Sequence, residues 1–269
     1  MRVTILGSGT SSGVPVIGCE CRVCTSPDPR DRRTRASAVV ALPGGNLLLD
    51  TATDLRAQAL REGLVRVDAV LFTHAHADHL HGIDELRLFN LRRQGAIPCF
   101  GNRDTLERLR AYLRYIFDAE QGESWRPALT LTEVTGPFEL LGARVVPIPL
   151  WHGRTPVLGY RLGGFAYLTD ANRIPDESWG LLEGLEVLVL DALREKPHPT
   201  HFSLGEALEV VARLRPGRTV LTHLAHTVAH AEVSARLPAG VELAQDGLVL
   251  ALEDRPETAP ASPRGGALE

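Results

Sequence analysis

The sequence predicts an α+β protein in which two β-sheets are covered by helices. Three observations carry this prediction: short apolar runs rich in β-branched residues with glycine or proline between them, longer stretches with a 3.6-residue period, and a chain order of strands, helices, then strands and helices again.

The first strands are expected at residues 2–6, 38–42, 46–50 and 69–73, each short and apolar. Helical periodicity follows at 54–62, 84–94 and 104–117, and later at 203–214 and 230–237, with Asp or Ser opening several of these as an N-cap. A second strand set is expected at 138–141, 143–149, 157–162, 165–169, 187–191 and 218–222, closed by 241–243 and 248–251. The turn region 122–127 is too short for a linker, so residues 1–253 are expected to form one domain. Residues 254–269 are rich in proline and alanine and poor in large apolar side chains, which predicts a flexible C-terminal tail.

A chain of 269 residues with 44% hydrophobic content can bury a core of enzyme size. Its formal net charge of −4 lacks the basic excess that grips an extended phosphate backbone, which disfavours a long nucleic acid and leaves a small anionic partner open. The start of the chain has no charged segment followed by an apolar one, and no window nears about 18 uninterrupted apolar residues, so a cytoplasmic protein without a membrane anchor is expected. Cys19, Cys21 and Cys24 are spaced too tightly for easy disulfides and read as a metal-binding knuckle; Cys99 reads as a buried thiol.

The chemistry centres on HAHADH, which places His74, His76, Asp78 and His79 directly after the apolar run 67–73. A strand ending there delivers four imidazole and carboxylate ligands to a loop at the sheet edge. Their alternation lets the pair His74 and His76 face one divalent ion and the pair Asp78 and His79 another. Three further ligand types repeat the placement at strand ends: His152, Asp170 and His223.

HAHADH, His152, the TDA at Asp170 and the THL at His223 together resemble the ordered motifs of the metallo-β-lactamase superfamily, over residues 1 to about 253. The resemblance implies a four-layered αββα sandwich, with His74, His76 and His152 on one metal, Asp78, His79 and His223 on the other, and Asp170 bridging them. It implies two active-site cations, zinc or manganese, that lower the pKa of a shared water so that a hydroxide nucleophile exists near neutral pH. Asp50, closing the run LLLD, resembles the aspartate that supports the metal loop through hydrogen bonds to ligands.

The fold does not choose a substrate. In GSGTSSGVPVIGCECRVC the three cysteines suit a structural zinc if a fourth ligand arrives, and His226 in THLAH, with His230 as the alternative, can supply it. This combination resembles the phosphoribosyl 1,2-cyclic phosphate phosphodiesterase family of phosphonate degradation, which implies a small-molecule phosphodiester substrate and a homodimer. In PTHFSL, His201 precedes a helix as does a histidine above the metals in these phosphodiesterases and in tRNA 3′-processing endonucleases, which implies a proton donor to the leaving alkoxide. His198 competes for that role. Arg87 and Asn90 fall on a helix that begins beside HAHADH, where a guanidinium suits phosphate unless Asp84 engages it. Residues 86–125 carry no motif that assigns a ribose-binding role. The rival readings are a tRNA 3′-processing endonuclease, a thioester or lactam hydrolase, and a non-catalytic accessory protein of cofactor biosynthesis.

Overall fold

The structure is a computed structural model, and it describes residues 1–118 and 125–252. The expected C-terminal tail therefore lies outside the described residues.

Two mixed seven-stranded sheets pack face to face. The first contains β1 (Arg2–Gly7), β2 (Ser37–Leu42), β3 (Gly45–Leu49), β4 (Ala69–Leu71), β5 (Ile97–Gly101) and β6 (Leu129–Glu133). The second contains β7 (Phe138–Leu140), β8 (Ala143–His152), β9 (Thr155–Leu162), β10 (Phe165–Leu168), β11 (Val187–Asp191), β12 (Arg218–Thr222) and β13 (Val241–Leu243). The last strand, β14 (Val249–Ala251), returns to the first sheet beside β1 and gives the orders β14-β1-β2-β3-β4-β5-β6 and β13-β12-β11-β10-β9-β8-β7. Each sheet has antiparallel pairs at one side and parallel pairs at the other: β3 to β6 in the first and β10 to β13 in the second.

Helices cover the outer faces. These are α1 (Leu55–Glu62), α2 (Ala77–Leu80), α3 (Leu86–Arg93), α4 (Arg103–Tyr112) and α5 (Arg114–Phe117) on the N-terminal side, and α6 (Asp176–Trp179), α7 (Leu204–Leu214) and α8 (His230–Ser234) on the other. The result is the αββα sandwich.

The two-residue strand period sorts side chains into three apolar layers. Leu47, Leu49, Ala69 and Leu71 point between the sheets and meet Phe165, Tyr167, Val187 and Val189 there. Their neighbours Leu48, Val70 and Phe72 face the N-terminal helices, and Ala166, Leu168, Leu188 and Leu190 face α7 and its companions. Strands buried on both faces read as continuous apolar runs, which is why VLVL and AVLF were recognisable without alternation.

Two strands carry weaker signals. β5 is IPCFG, in which Pro98 lacks a ladder donor, and β6 is LTLTE, largely solvent-facing; both were absent from the expected set. The expected helix at 104–117 is two helices, because Leu113 leaves helical geometry at φ −119° and ψ 43°. The expected helix at 84–94 is a 3₁₀ turn at Ile83–Glu85 followed by α3. β8 runs on through His152 rather than ending at residue 149, so that histidine is the last strand residue and not a loop residue. The expected helix at 230–237 stops at Ser234.

Candidate metal centre

The cluster assembles where strands end, at the edge common to both sheets. β4 leads to Thr73 and His74, β3 to Asp50, β8 supplies His152, β10 leads to Asp170, β11 ends on Asp191 and β12 leads to His223. Asp50, Asp170 and His223 each turn the chain with positive φ, at 60°, 52° and 60°. Such left-handed geometry outside glycine costs energy, and here it swings three polar side chains off strand ends into one pocket.

HAHADH continues into the short α2, whose turn faces Asp78 and His79 inward while His76 stays exposed. Two groups of possible ligands result. His74, His76, His152 and Asp170 offer one atom each within 4.8 Å of one another, and so do Asp78, His79, His223 and Asp170. Asp170 belongs to both.

Three of the imidazoles make a polar contact through the far nitrogen, whereas His223 Nδ1 is buried without a partner. His79 Nδ1 donates to Asp50 Oδ2 at 2.8 Å, and His152 Nδ1 donates to the Thr200 carbonyl at 2.7 Å. His74 Nδ1 lies 3.0 Å from the Thr73 hydroxyl. Asp50 is itself fixed by the Thr73 backbone N–H and hydroxyl, both at 2.8 Å. Asp50 therefore supports the loop as expected, and Thr73, which sequence reading passed over, is its anchor.

The inward nitrogens are left without hydrogen-bond partners: His74 Nε2, His79 Nε2 and His223 Nε2 are all buried and unsatisfied. Buried polar atoms without partners are rare, and convergent imidazole nitrogens beside carboxylates are the donor set of a divalent cation. The residues present fit two such ions.

The field agrees. Burial opposes ionisation of Asp78 and Asp170, yet His79 and His223 outweigh it and hold both carboxyls well below the usual range. Burial likewise opposes charge on His79 and His223, but the carboxylates around them push His79 well up and His223 to about 8. His74 and His152 are driven down by burial first, His152 to about 4, and so present neutral lone pairs. Ionised carboxylates and neutral imidazoles are the forms that ligate metal, so a cation at Asp78 and Asp170 would replace the protons that these carboxylates favour on His79 and His223.

His201 lies on the same pocket. Its Nδ1 donates to Asp191 Oδ2 at 2.8 Å, its ring stacks on His223 at 4.7 Å and 14°, and it meets His152 edge-on at 4.6 Å. Asp191 is fully buried, with its carboxyl pushed up by burial and partly offset by His201. Sequence reading gave it no role, although an acidic residue closing VLVLD was the available signal. His198 stands behind His201, 5.2 Å between rings, and its Nδ1 is engaged by the Thr200 backbone and hydroxyl.

For Arg87 the alternative engagement by Asp84 is the one observed. Arg87 pairs with Asp84 and lies over the Trp125 ring, 5.4 Å from its centroid, while Asn90 ties the end of α3 to Gly95 and Ala128. Neither joins the cluster. Both tie α3 to its surroundings, Arg87 through Asp84 and Asn90 through Gly95 and Ala128.

The knuckle closes separately. His226 Nδ1 lies 3.4, 3.5 and 3.6 Å from the sulfurs of Cys19, Cys21 and Cys24. A tetrahedral zinc with ordinary bond lengths sets a sulfur to nitrogen edge of about 3.6 Å, so the four side chains fit a structural zinc. His230 is not among them. Hydrogen bonding, led by the Cys24 backbone N–H, lowers the Cys21 thiol to about 6, whereas burial raises Cys24 to about 11. The loop bearing His226 is held by buried Arg33, which donates to the Ala225 and Val228 carbonyls at 3.1 and 2.7 Å and pairs with Asp31 at 2.9 Å. Upstream, a Cβ at Gly7 would collide with the Arg35 carbonyl, which is why the approach to the knuckle is glycine-rich. Cys99 is fully buried, its thiol raised by desolvation, and lies apart from both metal groups.

The family model described as a beta-lactamase superfamily domain matches residues 45–224. A crystal structure of a diphosphatase from the PhnP family is 44% identical, with a TM-score of 0.88 over 94% of this chain and 98% of that one. Zn²⁺-bound PqqB from Methylobacterium extorquens shares the fold at 22% identity and a TM-score of 0.73, over 94% of this chain and all of that one. An octanoyltransferase of Porphyromonas gingivalis is 37% identical over 260 residues, 95% of this chain but 52% of that protein, so the chain spans about half the length of this curated relative. The chain belongs to the metallo-β-lactamase superfamily, and its near-full-length identity to the diphosphatase groups it with the PhnP family.

Proposed function

We propose that the chain is a two-cation hydrolase of small phosphodiesters, with His201 as the proton donor. The observation that carries this reading is the pairing of His201 with Asp191 directly over a cluster in which Asp170 is common to two ligand groups. A donor above a charged centre suits a reaction whose leaving group departs as an alkoxide.

His74, His76 and His152 would hold one cation and Asp78, His79 and His223 the other, with Asp170 between them. Cations so held supply a water that ionises near neutral pH and polarise the phosphoryl oxygens. Asp78, ionised throughout the physiological range, lies 3.6 Å from His223 Nε2, and the two could share one cation. Asp191 fixes the His201 tautomer with hydrogen on Nδ1, which leaves Nε2 to carry a proton toward the departing oxygen. The knuckle zinc would act on stability alone.

The protein similar over nearly the whole chain is named a diphosphatase, which favours chemistry at phosphorus. No helix among the described residues is long and apolar enough to cross a membrane. An acyl thioester is the second reading, because the half-length match carries the name octanoyltransferase.

A substrate panel tests both. Protein supplied with zinc or manganese should hydrolyse bis(p-nitrophenyl) phosphate and leave a chromogenic cephalosporin, an acyl thioester and a precursor tRNA intact. Absence of phosphodiester turnover with every metal contradicts the proposal, and thioester turnover alone establishes the second reading.

A further inference from the structure

We infer that one face of α4 is the wall that selects the substrate, with Arg108 taking a second phosphoryl group and Tyr112 the planar base of a nucleoside diphosphate ester. This rests on the phosphoesterase reading above and names its substrate class.

Asp104, Arg108 and Tyr112 are spaced four apart on the helix and so share one face. That face lines an open cleft together with His74, His76 and the start of β9 at Thr155 and Pro156. The cleft is shallow, about 80 Å³, and open to solvent, so a substrate larger than one phosphoryl group would lie along α4 rather than be enclosed. The metal cluster therefore opens directly onto a cation and an aromatic ring.

Arg108 Nε donates to Asp104 Oδ2 at 2.9 Å, and its guanidinium also shares a hydrogen bond with Tyr112. Among the described residues Asp104 is its only carboxylate partner. Two of five donors are thus engaged in holding the guanidinium plane, and the other three are left for a phosphate contact. Tyr112 is 55% exposed, unusual for so large a ring on a cleft wall, and offers a face for stacking. A plain or cyclic monophosphate ester would leave both groups idle. A substrate with two linked phosphoryl groups and a base uses the cluster, Arg108 and Tyr112 in sequence.

The reaction is hydrolysis of the anhydride. The oxygen of water bonds to the phosphorus at the metal cluster, the bridging P–O bond breaks, one proton goes to the departing phosphate and the other stays on the attacked one. Two phosphate monoesters result and no other reactant is needed.

The test uses the full chain with added manganese and two substrates, ADP-ribose and bis(p-nitrophenyl) phosphate. In Arg108→Ala, kcat/KM for ADP-ribose should fall about 30-fold further than that for bis(p-nitrophenyl) phosphate, mostly through KM. Arg108→Lys should recover part of the loss, because charge returns without the fork. Tyr112→Ala should show a smaller selective loss of about 5-fold, as for a lost stacking partner. Arg110→Ala, on the other side of the helix, should change both substrates by less than about 2-fold. Calorimetric titration with ADP should give an affinity about 10-fold weaker in Arg108→Ala than in wild type. Equal losses on both substrates, or unchanged ADP affinity, overturn the inference. If wild type turns over neither substrate, the phosphoesterase reading falls, and the ADP titration alone decides for or against this wall.

Discussion

At the scale of single residues, function depends on side chains that never touch a substrate. Asp191 accepts the His201 Nδ1–H within a buried pair, and its Oδ2 also accepts the Ala171 backbone N–H at 2.9 Å. Replacing an oriented partner of this kind costs about 10- to 100-fold in activity. Asp191→Asn should therefore lower kcat by that factor while metal content, measured by plasma mass spectrometry, stays unchanged. His201→Ala should cost about 10²- to 10⁴-fold. The double variant should be no worse than His201→Ala alone, because the two residues act as one unit. Additive losses would show that Asp191 acts independently. His230 makes a different residue-scale point. Burial, then Arg30 and Arg33, depress it to about 4 against an ordinary 6.5, and it stands outside the knuckle that it was a candidate to complete. Between those two values the unfolded chain takes up a proton that the folded chain refuses. Stability from this group is full above pH 6.5 and declines as pH falls toward 4. Urea unfolding of His230→Gln should show a flatter pH dependence across that window than wild type, and an identical slope would refute the assignment.

At the scale of elements, the strand ends matter more than the strands. Ligand placement was legible because HAHADH, His152, Asp170 and His223 each follow an apolar run, and such runs mark buried strands whatever their partners. Helix α7 illustrates the local code: Ser203 accepts from the Glu206 backbone N–H while the Glu206 side chain accepts from the Ser203 N–H, a closed capping box two residues after His201. Ser203→Ala should destabilise the fold by about 1 kcal/mol in urea titration. It should also reduce activity, since the cap fixes where the chain turns beneath the histidine; full activity would separate the cap from the site. Elsewhere the local code ran out. β5 and β6 depend on neighbours in the sheet for their identity, with a proline in one and exposed threonines in the other. The wall formed by Asp104, Arg108 and Tyr112 looked like an ordinary solvated helix face, because nothing in RDTLERLRAY tells that His74 and His76 line the same cleft. Arg87 shows the converse. Its distance from HAHADH along the chain is short, but Asp84 engages it.

At the scale of the whole molecule, two sheets from two halves of the chain meet at one edge. The first sheet contributes His74, His76, Asp78 and His79, and the second contributes His152, Asp170 and His223. Both groups that share Asp170 draw ligands from the two halves, so cation binding there and docking of the halves are linked, and ligands that bind only the folded state stabilise it. The knuckle makes a second such closure, joining residues 19–24 to the loop after β12 through His226. Cys21→Ser should lose about one zinc and a large part of the stability. The other two metals should remain in whatever protein stays folded, and their loss instead would show that the two sites are one.

The central claim is that the shared His and Asp cluster is a two-cation phosphodiesterase centre. Its most direct test is the rate of bis(p-nitrophenyl) phosphate hydrolysis as manganese is titrated into chelator-treated protein. The account predicts that activity rises as the second cation of the cluster binds and that Asp170→Asn, which breaks the ligand common to both groups, abolishes it at every metal concentration. Full activity at a single bound cation, or an active Asp170→Asn, would contradict it.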